Sequence, residues 1–220
     1  MDIVELAASF FRAKEKFDRV SIKILQSHTD NWQDYLAARD EYALAKQKLA
    51  IAKVEEYVVN YDLGCIPDTS DSKEVVLQIN QTTFLMFKAL SPTISPTGSC
   101  LELGIAVLNC QGCLITKFGY PSEENLSTHT LFSKGLDECL GVGEVVNSLW
   151  KATVMETYGI VKPMGKALAN NKFTDYKHFI FVLKDNTFEC IAKDLLVRFS
   201  QESYLDIITE ITNQDILKGI

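Results

Sequence analysis

Apolar residues in the first sixty positions recur at alternating steps of three and four. Ile3, Leu6, Phe10, Ala13, Phe17, Val20 and Ile24 form one such series; Tyr35, Ala38, Tyr42, Ala45, Leu49 and Ala52 form a second. Two near-heptad stripes predict two helices packed along a shared seam, in the manner of a short coiled coil. Leu36, Ala43, Ala50 and Tyr57 widen the second stripe. The polar SHTDN between them predicts a turn, with Thr29 or Asp30 as the N-cap of the second helix. Residues 1–60 therefore read as an antiparallel αα-hairpin. Its seam suits packing on the rest of the chain and pairing with a second copy equally well.

The period then changes. Residues 61–74, with Gly64, Pro67 and a Ser/Thr/Asp cluster, read as a linker. From 75 to 220 short apolar runs alternate with turn signals. Residues 75–79 and 82–90 predict one strand pair, turning at Asn80-Gln81, and 91–99 an exposed connection. Residues 100–109 and 113–120 predict a second pair, turning at Gln111-Gly112. Residues 178–192 predict a third, with Asp185-Asn186 at the tip. A helix is expected over 142–159, ending at Gly159, and another after Ser200. The fold class is α+β: the helical hairpin, then an antiparallel sheet of about six strands in three hairpins, covered by helices.

Composition narrows the function classes. Of 22 basic and 29 acidic residues, the first sixty positions hold 9 and 10, so most of the net charge of −7 resides in the remainder. An acidic chain without a basic stripe argues against nucleic acid as a partner, because phosphate neutralisation supplies that affinity. No apolar run approaches the roughly 20 residues of a membrane-spanning helix, and the N-terminus lacks a basic leader. A cytoplasmic location with reduced thiols is expected.

Candidate chemistry is sparse. NCQGC holds Cys110 and Cys113 at the spacing of half a zinc site, but a structural zinc takes four ligands and no second such pair exists. A redox pair would sit at a helix N-terminus, which a hairpin tip lacks. Two thiols side by side on one face of a hairpin is the leading reading. The long segment 119–144 gathers His129, Asp137, Glu138 and Cys139. His129 with an acidic partner could serve as a general base there, or could simply anchor the loop. His178 reads as an edge-strand residue, Asp185 as a turn residue and Glu189 as a solvent-facing acid. Trp32 and Trp150 occupy helix positions expected to pack. No cofactor motif is present.

FGYPSEENLSTHTLFSKGL and KHFIFVLKDNTFECIA together resemble segments of a family of small bacterial proteins of uncharacterised activity. That resemblance covers about 105–195 and implies that the loop and the last hairpin form one unit; it implies no catalytic residue. The sequence thus supports a binding or protein-interaction module, with a protein partner or homo-oligomer formed through the hairpin. The alternatives are a small enzyme using His129 in the 120–139 loop and a metal module at Cys110 and Cys113.

Overall fold

The computed structural model describes residues 2–27, 32–70, 73–79, 82–94, 100–158 and 175–218. Helices α1 (Ile3–Ser27) and α2 (Trp32–Ala52) form the expected antiparallel hairpin. The seam is built as its stripes require. Phe17 stacks on Tyr42 with centroids 5.5 Å apart, and Phe10 lies 5.6 Å from the same ring. Ala13, Ala38 and Ala45 are buried between them, so small residues let the backbones approach while rings fill the gaps. The turn residues Thr29 and Asp30 lie outside the described residues.

The rest is a sandwich of two antiparallel sheets. One has the order β1 (Tyr57–Asn60), β7 (Val142–Val146), β8 (Lys177–Val182), β9 (Thr187–Ala192), β6 (Ile115–Gly119). The other runs β10 (Asp194–Ser200), β5 (Cys100–Gln111), β4 (Thr82–Ile94), β2 (Ile66–Pro67), with β3 (Val75–Ile79) also on β4. Period-two alternation sends Leu85, Phe87, Ala106 and Leu108 inward from one sheet, and Phe179, Phe181 and Phe188 inward from the other. Each outer face is covered as well. Ile207 and Ile211 of α4 (Tyr204–Lys218) lie on Met86, Ile105 and Val107. Leu131 and Leu136 of the long loop lie on Val58, Val145, Ile180 and Val182, and α3 (Leu149–Thr157) covers Ile191.

The α+β class stands, with ten strands among the described residues in place of about six. The β3–β4 and β8–β9 hairpins form as expected, although the turn at Asn80-Gln81 lies outside the described residues. The middle hairpin does not form. At Gly112, whose φ of +60° suits glycine, the chain leaves one sheet and enters the other. Cys110 therefore lies opposite Thr83 and Leu195, not Cys113, while Thr116 lies opposite Cys190. The helix expected over 142–159 is β7 followed by α3. Asn147, at φ +52°, breaks the strand, and Ser148 caps the helix by accepting from the Lys151 N–H at 3.0 Å. The stretch 61–74 adds Leu63 and Cys65 to the core. Of the tryptophans, Trp150 packs on His178 and Trp32 is 57% exposed.

Candidate functional site

The β8–β9 pairing sets His178 opposite Ile191 and Glu189 opposite Ile180, so His178 and Glu189 are diagonal neighbours on the outer face. β8 is central in its sheet, which corrects the expectation of an edge histidine: His178 is 1% exposed. Glu189, expected to face solvent, is also buried. Its Oε2 lies 2.9 Å from His178 Nε2, and the other ring nitrogen, Nδ1, lies 2.8 Å from Ser148 Oγ. A carboxylate can only accept, so His178 Nε2 donates to Glu189. In the neutral ring Nδ1 then accepts the Ser148 hydroxyl proton, while Ser148 Oγ accepts from the Lys151 N–H. The polar chain runs from Ser148 through His178 to Glu189.

His129 joins the same carboxylate from the loop. Its Nδ1 accepts from the Leu131 N–H at 3.1 Å, leaving Nε2 to face Glu189 Oε1 at 3.7 Å. Lys117 Nζ is 3.7 Å from that oxygen and 3.7 Å above the Trp150 ring. Burial opposes charge on Glu189, but hydrogen bonding from His129 and His178, with Lys117 nearby, holds the carboxyl well below its ordinary range. A buried anion is thereby satisfied from three sides.

The other loop acids do not reach His129. Glu138 Oε1 pairs with Lys46 Nζ of α2 at 2.9 Å, and its Oε2 accepts from the Tyr57 hydroxyl at 2.9 Å. Asp137 stands 3.7 Å from Lys46, and burial pushes its carboxyl upward. These two acids brace the hairpin against the sandwich. Gly135 beside them approaches Tyr57 so closely that an added Cβ would sit 2.6 Å from that ring, and its φ is +97°. Cys110 faces the core 3.9 Å from Cys190, and no group of three potential metal ligands is assembled among the described residues.

Chemically, a serine–histidine–carboxylate chain can move a proton. Ser148 is only 3% exposed, however. Cavities of about 550 and 460 Å3 open instead beside 66–69 with 123–141, and beside α2, β1 and 135–140. Sequence reasoning missed Ser148, His178, Glu189 and Lys117 as a group. Three lie on strands or strand ends whose sheet neighbours only the topology reveals.

The hairpin presents a second feature. Val4, Ala8, Phe11, Glu15, Asp18, Ile22 and Leu25 repeat at steps of four and three along α1, and every one is exposed. This stripe is distinct from the seam and has no cover among the described residues; Phe11 is 63% and Leu25 78% exposed. No protein-family model, curated protein or solved structure matches this chain.

Proposed function

We propose that the chain is a cytoplasmic protein-interaction module whose helical hairpin pairs with a second copy of itself. The observation that carries this reading is the exposed heptad stripe on α1, since large apolar residues spaced along one helix line gain most from another helix. A second copy fits it for a reason written into the stripe. Antiparallel pairing of two α1 helices about residues 14–15 sets Val4 against Leu25, and Ala8 against Ile22. It also sets Phe11 against Asp18 and brings the two Glu15 residues near each other, with Lys14 and Arg12 of the second copy flanking those acids. An interface that complements itself under a two-fold axis favours a dimer.

Light scattering on the full chain during size exclusion tests it. Twice the 24.7 kDa chain mass is expected for the wild type, and the single mass for Phe11→Glu/Ile22→Glu. A wild type that stays monomeric at about 100 μM ends the proposal, since an interface with Kd near 1 μM would be saturated.

One observation favours a second reading, hydrolytic acyl transfer: the hydrogen-bonded chain Ser148–His178–Glu189. A fluorophosphonate probe would add its phosphonyl mass to Ser148 if this is so. Absence of that adduct on folded protein removes the reading.

A further inference from the structure

The outer face of the second sheet carries cross-strand rows of side chains. Met86, Val107 and Arg198 form one row, and Phe84, Asn109 and Leu196 form the next. Ile207 and Ile211 of α4 cover the first row at Met86 and Val107. No member of the second row is fully buried, and a cavity of about 260 Å3 opens there. Phe84, Val107, Leu196 and Ile211 are its apolar walls.

The polar groups of the lining fall into two kinds. Arg198 Nη2 donates to Glu210 Oε2 at 2.7 Å, and Gln214 Nε2 donates to Glu210 Oε1 at 3.0 Å. The charges at the rim are thus spent on each other. Asn109 is different: its Oδ1 is buried and meets no hydrogen-bond donor. A buried amide oxygen left in that state is costly, and such groups are normally paired.

We propose that this cavity binds a small uncharged ligand with an apolar body and one O–H or N–H donor, which the Asn109 carboxamide accepts. Apolar walls with few polar groups that fix orientation are the usual form of a small-molecule site. At about 30 Å3 per heavy atom, the share of a water in the liquid, the space holds about eight. The χ2 torsion of asparagine is broad and roughly two-fold, so the carboxamide can turn its oxygen to the ligand. An ionised head group finds no free counter-charge here, because Arg198 and Glu210 already neutralise each other. The site uses no residue of the helical hairpin and stands apart from self-association.

Titration of the full chain with 1-hexanol, followed by 1H–15N NMR, tests the proposal. Its seven heavy atoms support a Kd of about 1 mM. Saturable shifts are expected in the Asn109 side-chain amide and in the backbone at 107–109 and 196–198. Dipropyl ether has the same atoms but no donor, and should bind about tenfold more weakly. Hexanoate and hexylammonium should bind no more tightly than the ether. Asn109→Leu should bring hexanol down to the level of the ether and leave the ether unchanged. Leu196→Trp, at an exposed position on the wall, should fill the space and weaken both alike. No saturable shift by about 10 mM hexanol, which is also the result if only water enters, overturns the proposal. So does an ether or a charged analogue that matches hexanol in the wild type. If Asn109→Leu fails to fold, the wild-type ligand series and Leu196→Trp decide.

Discussion

His178 Nε2 and Glu189 Oε2 stand 2.9 Å apart as diagonal neighbours on the outer face of β8–β9, both beneath the loop that carries His129. The pair ties that loop to the sheet through a buried charge.

Replacing Glu189 by Gln leaves both histidines facing a weaker acceptor and removes the anion 3.7 Å from Lys117. Loss of about 3–5 kcal/mol is expected, as for other buried pairs broken on one side. Urea unfolding at pH 7 measures it; a change below 1 kcal/mol would mean that the network is slack.

Acid sensitivity follows from the same group. The folded-state carboxyl is depressed below its ordinary value of 4.5. Its stabilisation is therefore complete above that value, and it fades as pH falls towards the folded-state value, because the unfolded chain takes the proton first. The melting temperature of the wild type should drop between pH 5 and pH 3 more steeply than that of Glu189→Gln. Equal slopes would count against a native-state anion at 189.

Ser148→Ala removes both the α3 cap and the partner of His178 Nδ1. A cost of about 1–2 kcal/mol is expected, in line with loss of an N-cap. Amide exchange should quicken chiefly in 149–157; uniform quickening would place the effect elsewhere.

Lys46→Met breaks the brace to Glu138. The cost should be modest, about 1 kcal/mol for a partly exposed pair. Exchange should rise in α2 and β1 while β8 and β9 keep their protection. A global change would mean that the hairpin and the sandwich unfold as one.

Alkylation at pH 8 separates the thiols. Burial pushes Cys65 up to about 11 and Cys139 up to about 12. At pH 8 only about one Cys65 in a thousand is then a thiolate. Iodoacetamide should modify Cys113 well before either, and peptide mapping over time reads the order.

The helical seam was legible because its two stripes pair Phe10 and Phe17 with Tyr35 and Tyr42, a local pattern that needs no distant partner. The middle hairpin misled because Gln-Gly between apolar runs looks like a tight turn whichever sheet the second run joins. Residues 142–146 are too short an apolar run for periodicity to distinguish strand from helix. Glu189 was hidden by register. The tip of β8–β9 lies at Lys184-Asp185, one residue earlier than expected, with Leu183 donating its N–H to the Asn186 carbonyl at 3.0 Å. A tip at Asp185-Asn186 would put Glu189 opposite Val182 on the same face, too far along to meet His178. One residue in a turn thus separated a surface acid from the centre of the network.

The brace at Lys46 also has a mechanical meaning. From Lys46 to Trp32 α2 extends 14 residues, about 21 Å of stiff helix at 1.5 Å per residue. The hairpin is in effect a lever pivoted at Tyr57 and restrained by Glu138. A load applied at its free end bears on that restraint with the leverage of its length. Tension on the arm would be felt first at Glu138 and Asp137, in the very loop that lies over His178 and Glu189.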